Sequence, residues 1–180
     1  MKRQGLIQLL NQYNASDAEI TMKSDMLSFI GENTDCFERS LEIGHITGSS
    51  WLLNKTGDKT LLMHHKKLDK WLQLGGHADG DSDILAVALK EAKEESGIRS
   101  IEPVMSAIFD IDIHKIPAYG DIKEHFHYDV RFLLKVTSGE NISINGESNE
   151  LRWIGKDREG LLSSEPSVVR MFDKWLKVAA

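Results

Sequence analysis

The stretch "GGHADGDSDILAVALKEAKEESGI", Gly75 to Ile98, ends a helix-like pattern on Glu91, Glu94 and Glu95, where a helix tolerates acid least. At about 100° per residue, Ile84, Val87, Ala88, Glu91, Glu94 and Glu95 share one stripe, apolar for two turns and then acidic. Glu91 repels Glu94 and Glu95 by roughly a few tenths of a kcal/mol each, and the helix dipole adds a similar cost at its C-terminal end. Lys90 can pair with Glu94 one turn on, but one lysine cannot neutralise three carboxylates. A hard divalent ion can, because Mg²⁺ and Mn²⁺ take oxygen ligands and keep waters that a phosphate replaces. A solvated acidic face is the plainer reading of a Glu-rich helix end. The surroundings argue against it: Gly75-Gly76 lets backbone carbonyls approach a ligand closely, and Gly97 suits the helix stop.

Outward from this helix, expected over residues 83–96, the pattern changes from period 3.6 to period 2. Before it, "GHITGSSWLLN", "KTLLMHHKK" and "KWLQLGG" are short, rich in β-formers and separated by turn signals such as Thr56-Gly57-Asp58. After it, "IFDIDIHKI" and "EHFHYDVRFLLKV" alternate apolar with polar residues, and "LRWIG" follows. All six read as strands. Leu6, Leu9, Leu10 and Tyr13 fall at helical spacing, and a second helix starts at Ser16 or Asp17 and stops near Gly31. The chain closes on a docking helix with Ser164 as N-cap, Pro166 in its first turn, and Val168, Val169, Phe172, Trp175 and Leu176 on one stripe. Strands on both sides of one central helix argue for an α+β sheet packed against helices.

The 180 residues suit one globular domain, and 22 basic against 28 acidic residues give a net charge of -6 without a Lys/Arg run. Such a field repels polyanions, so a nucleic-acid polymer is excluded as partner. "MKRQGLIQLL" has too short an apolar run for a signal peptide, and no run of about 18 apolar residues exists, so neither a membrane nor export is expected and the location is read as cytoplasmic. Cys36 is alone, which excludes an internal disulfide.

The spacing from Gly76 to Ile98 resembles the Nudix box, G-x5-E-x7-R-E-U-x-E-E-x-G-U with U aliphatic. Lys90 falls at the arginine, Glu91 at the next glutamate, Ala92 at U, Glu94 and Glu95 at the acidic pair, then Gly97 and Ile98. Ser82 stands where the first glutamate belongs and Lys90 replaces arginine, so the pair that orients the metal-binding side chains is weakened unless Lys90 turns to Asp81 or Asp83. A catalytically dead box is the alternative, but the ligands themselves remain. The resemblance implies a Nudix-type α/β/α sandwich with a mixed sheet over residues 41–180, and leaves 1–40 as an N-terminal helical extension packed on the domain. It implies metal-dependent hydrolysis of a diphosphate linkage in a small nucleoside diphosphate derivative: a nucleotide sugar, dinucleotide, coenzyme or modified nucleotide. Glu91, Glu94, Glu95 and the carbonyl of Gly76 would hold Mg²⁺ or Mn²⁺, the three glutamates being the catalytic set. The base is left among Glu91, Glu124, Glu147 and Glu150. Lys66, Lys67, His77, His125, His127 and Arg131 are candidate substrate contacts. The oligomeric state stays open, a homodimer included.

Other patterns compete. Asp79, Asp81 and Asp83 imitate a calcium loop, but Ile84 occupies the glycine position and Lys90 that of the bidentate glutamate. His125, His127, Asp129 and Arg131 alternate onto one strand face, and Asp110, Asp112 and His114 onto another; a hairpin around Pro117 to Asp121 would bring them together as a zinc site or, more plainly, as a polar wall. His64, His65, Lys66, Lys67 and Lys70 form either an exposed strand end or a phosphate-attracting arm. Trp51, Trp71, Trp153 and Trp175 read as packing residues rather than base-stacking platforms. Two other functions remain: a nucleotide sensor that binds without cleaving, and an isopentenyl diphosphate isomerase-like enzyme using Cys36.

Overall fold

The computed structural model describes residues 2–178. Helix α1 (Gln4–Gln12) buries Leu6 and Leu10, and α2 (Ile20–Glu32) buries Met26, Phe29 and Ile30. The start expected at Ser16 or Asp17 is a tight 3₁₀ turn, Asp17–Glu19, in which the Glu19 carboxylate accepts from the Ser16 N–H at 3.1 Å and its hydroxyl at 2.6 Å. The α-helix proper begins after that turn.

Eight strands follow the two helices: β1 (Gly44–Leu53), β2 (Lys59–His65), β3 (Lys70–Leu72), β4 (Leu74–His77), β5 (Ser100–Pro103), β6 (Asp110–Ile116), β7 (His125–Ser138) and β8 (Ser148–Gly155), with α3 (Ile84–Ser96) between β4 and β5. They form one mixed sheet ordered β3-β2-β1-β7-β5, with β4 on β1, β6 on β7 and β8 on β2; β1 and β7 run parallel and the other pairs antiparallel. The segment "KWLQLGG", read as one strand, is two: β3 stays on β2, while β4 crosses to β1 and pairs His77 with Thr47. The four-residue β5 was not expected.

Alternation sorts the two faces. Ile46, Leu52, Leu61, Met63, Val130, Phe132 and Leu134 pack in the cluster that α1, α2 and α3 cover. Trp51, Leu53, Leu62, Leu133 and Ile154 pack with Val168, Met171, Phe172 and Trp175 of α4 (Pro166–Leu176). Helices on both faces make the α/β/α sandwich. At α4, Glu165 rather than Ser164 occupies the N-cap, with Pro166 as the first helical residue, and Leu176 points outward at 41% exposure.

Towards the other end of the α4 face, the apolar pattern gives way to charge. Arg131 is buried at 1% exposure and its guanidinium reaches Asp129 at 2.7 Å, Asp110 at 3.1 Å and Asp112 at 3.4 Å. Arg170 and Lys174 of α4 add contacts to Asp110 at 2.8 and 2.7 Å, and Lys174 also meets Glu19 at 2.6 Å. Nothing of this network is a bare ion: burial without partners would cost several kcal/mol per charge. The link from Glu19 through Lys174 to Asp110 ties the first forty residues to the last helix. Arg131, a candidate substrate contact, is therefore corrected: its donors are committed to three aspartates and it does not line the cleft described next.

Candidate active site

Close packing fixes α3 over β1. A Cβ built on Gly48 would lie 2.9 Å from the Ile84 carbonyl oxygen and 3.1 Å from Val87 Cγ1, so only glycine admits the helix this near. Asp83 caps the helix by accepting from the Ala86 N–H at 3.0 Å, and Gly97, at φ 74°, stops it.

The helix end then splits its three glutamates into different environments. Glu95 is buried at 3% exposure and accepts from the Gly75 N–H at 2.8 Å; burial first, then the neighbouring Glu91, Glu147 and Glu94, push its carboxyl up to about 8 against that one hydrogen bond. Glu91 is half-buried against Gly76, where a Cβ would stand 2.5 Å from its carboxylate. Glu94 faces solvent. Lys90 bridges the last two, 3.0 Å from Glu91 and 3.5 Å from Glu94. It does not turn to Asp81 or Asp83, which are engaged in the turn and cap at the start of α3. Ser82 lies in that turn, and Lys90 acts as a partial counter-ion to the carboxylates themselves.

These groups line a cleft of about 560 Å³. A second part of its wall carries Lys66, Lys67 and Glu147, where the Lys66 N–H donates to the Glu147 carbonyl at 2.8 Å. His65 joins this wall, while Lys70 pairs with Glu165 and His64 with Asp69, so only part of the expected basic arm faces the cleft. His77 and His127 line it; His125 does not. Of the four offered bases, Glu91 and Glu147 line the cleft. Glu124 pairs with Lys115 and Glu150 with Arg152, both away from it.

The β6–β7 hairpin forms as the alternation suggested, setting Asp112 opposite Asp129 and His114 opposite His127. It does not make the zinc site of those residues, because the aspartates are spent on Arg131 and Arg170. Thr47 and Ser49 donate to Asp129 at 2.8 and 2.7 Å, making a fully paired carboxylate at the cleft floor. Sequence reading placed Asp129 on a polar strand face but missed Thr47 and Ser49, Arg39, which reaches Asp79 from the N-terminal segment, and the buried His45. Burial, reinforced by the surrounding imidazoles, holds His45 down at about 4 and His127 at about 2, and burial lowers His77 as well. Trp51 and Trp175 are core residues, as expected, and Trp71 is half-buried with Arg152 over its ring at 5.3 Å. Cys36 lies in the apolar core, its thiol pushed up to about 11 by burial, the reverse of what a reactive cysteine needs.

Among the described residues no helix is long and apolar enough to cross a membrane. No curated protein matches the sequence. A Nudix hydrolase from Clostridium perfringens is 26% identical, with a TM-score of 0.52 over 73% of this chain and 95% of that one. The MutT protein of Methanosarcina mazei is 17% identical with a TM-score of 0.59 over 75% and 94%. A UDP-X diphosphatase, 14% identical with a TM-score of 0.53, aligns over 96% of this chain and 91% of its own, so its fold extends to the N-terminal helices. The NUDIX domain family model matches residues 45–172, which run from β1 through the cleft into α4. With the box spacing running from β4 through α3 to Ile98 and most of the sheet inside the matched span, the chain belongs to the Nudix family, as a hydrolase of diphosphate bonds.

Proposed function

We propose that the protein hydrolyses the diphosphate linkage of a small nucleoside diphosphate derivative in a divalent-metal-dependent reaction, with water as the attacking group. The observation that carries this reading is Glu95: a carboxylate whose proton affinity is raised first by burial and then by the charge of Glu91, Glu147 and Glu94 is an unfavourable arrangement that a hard cation relieves. Glu91, Glu94, Glu95 and the Gly76 carbonyl are a wholly oxygen donor set, fitting Mg²⁺ or Mn²⁺. Bound there, the ion would offset charge on phosphate oxygens and lower the pKa of a coordinated water.

The chain's own groups divide the remaining work. Lys66 and Lys67 attract the diphosphate across the cleft, and Lys90 moderates the charge of Glu91 and Glu94. His77 and His127 wall the cleft beside the box. Glu147 lines the same cleft from outside α3, close enough to raise the Glu95 carboxyl, and is assigned as acceptor of the water's proton. Solved folds of similar shape include an Ap4A hydrolase from C. elegans and the UDP-X diphosphatase, which motivates dinucleoside polyphosphates and nucleotide sugars as first substrates to try. The test is a screen of those two classes together with oxidised nucleotides and coenzymes, with Mg²⁺ or Mn²⁺. Turnover that requires the metal is expected, with Glu147→Gln lowering kcat by about 10²–10⁴-fold at unchanged metal affinity. Tight nucleotide binding without turnover on every class would instead identify a sensor.

The same site fixes a pH dependence. Because the Glu95 carboxyl sits at about 8 when folded against an ordinary 4.5, the metal-free native state holds a proton that the unfolded chain has already released between those values. Metal-free stability therefore falls as pH rises from 4.5 to about 8, and the deficit persists above that window. Mg²⁺ binding to the deprotonated native site reverses it and releases protons within the window. Thermal unfolding across this range, with and without Mg²⁺, measures both effects; a metal-free unfolding temperature flat across the window refutes the assignment.

A further inference from the structure

We propose that His45, His77 and His127 form a second metal site, suited to a borderline transition ion such as Zn²⁺, whose remaining coordination position opens to the cleft. This site does not depend on the hydrolytic reading of the carboxylate helix. Three strands build it. β1 and β7 run parallel with His45 in register with His127, and β4 lies antiparallel on the other side of β1 with His77 opposite Thr47. One ligating nitrogen from each ring lies within 4.8 Å of the others. A tetrahedral ion with zinc–nitrogen distances near 2.0–2.1 Å needs those nitrogens about 3.3 Å apart, so side-chain shifts of roughly 1 Å close the set.

His45 supplies the independent reason to expect an ion. Its side chain is buried at 3% exposure, and neither ring nitrogen has a hydrogen-bond partner. The Leu41 carbonyl lies near the ring without meeting hydrogen-bond geometry. A buried imidazole left this way loses its hydrogen bonds to water and gains none in return. An ion on one nitrogen would satisfy it and would turn the other N–H towards that carbonyl, the usual orienting contact of a ligating histidine.

The neighbouring rings do not offer the same explanation. His114 is engaged by Asp112 at 3.0 Å, and His125 by the Lys123 carbonyl at 2.8 Å and, through its other nitrogen, by Nε2 of His127 at 3.3 Å, a contact that the ion would replace if it took that nitrogen. Packing of the rings, with centroids 4.8 Å apart for His45 and His127 and 5.0 Å for His45 and His77, accounts for contact but leaves both His45 nitrogens without a partner. Three imidazoles without a carboxylate favour zinc-like ions over Mg²⁺, so the site complements rather than duplicates the oxygen cluster on α3. His77 and His127 line the cleft, and three nitrogen ligands with one position left over is the arrangement of zinc sites that bind water or substrate. The fourth ligand would be water or a phosphate oxygen of a bound diphosphate.

Co²⁺ titration of the full chain tests this, because a four-coordinate nitrogen site absorbs strongly in the visible and a six-coordinate oxygen site only weakly. The expected result is a strong band that saturates at a single ion per chain, is displaced by Zn²⁺, and persists in the Glu94→Gln, Glu95→Gln double variant. His45→Phe should weaken Co²⁺ binding by at least about a hundredfold and abolish the rise in unfolding temperature that Zn²⁺ gives the parent. If His45→Phe does not fold, His77→Gln, at a half-buried position, is read in its place with the same expectation. A spectrum that is weak throughout, or a strong band lost in the glutamine double variant and retained in the histidine variants, overturns the proposal.

Discussion

Glu95→Gln is expected to lower kcat on the best diphosphate substrate by at least about a hundredfold, the scale of losing a group that stabilises transition-state charge. The fold should survive, because the glutamine carbonyl oxygen can still accept from the Gly75 N–H that Glu95 now engages. The same substitution removes the buried charge, so above the raised pKa the metal-free variant should unfold no earlier than the parent and gain less from Mg²⁺. Steady-state kinetics and thermal scans on one preparation separate the two effects. Turnover at the parent rate would remove Glu95 from the catalytic set.

Arg131→Ala should be the most damaging substitution for stability. It strips Asp129, Asp110 and Asp112 of their shared, buried cation. Breaking a buried pair from one side costs about 3–5 kcal/mol, a large part of the 5–15 kcal/mol that holds a typical domain together. The denaturant midpoint should fall accordingly, and Asp129→Asn added to Arg131→Ala should recover part of the loss, since one uncompensated charge is gone. A loss below about 1 kcal/mol would mean that Arg170 and Lys174 already suffice for the aspartates.

The box was legible because its logic is local: a glycine pair, a helical period and three acids at fixed offsets need nothing from the rest of the chain. A last helix docked on the sheet was legible too, from the stripe that carries Phe172 and Trp175, while helices on both faces followed only from the family resemblance. What sequence reading could not supply was cover. Alternation places His127, Asp129 and Arg131 on one face of β7, but whether that face meets water or α4 depends on strand order. Arg131 thus looked like a phosphate contact and is a buried counter-ion. His45 in "GHITGSSW" passed as one polar residue in a strand, since its meaning comes from a parallel neighbour about eighty residues away. Arg39 has no local signal at all, because its partner Asp79 lies across the cleft loop. β5 escaped notice as four residues ending in proline.

That distant parallel neighbour has a consequence for biosynthesis. Gly44 pairs with Phe126 and Leu53 with Lys135, so the central seam of the sheet cannot close until roughly eighty residues have followed β1 out of the ribosome. At about 5–20 residues per second, the delay is about 4–16 s. During that interval β1 can pair with β2 and β4, but one edge, carrying Ile46, Trp51 and Leu52, waits without its final partner. Long-range parallel pairing is slow even for a finished chain, because loop closure must precede its reward. The nascent protein therefore presents an open, apolar strand edge for seconds, which makes the period before β7 emerges its time of greatest exposure to aggregation and to chaperone capture.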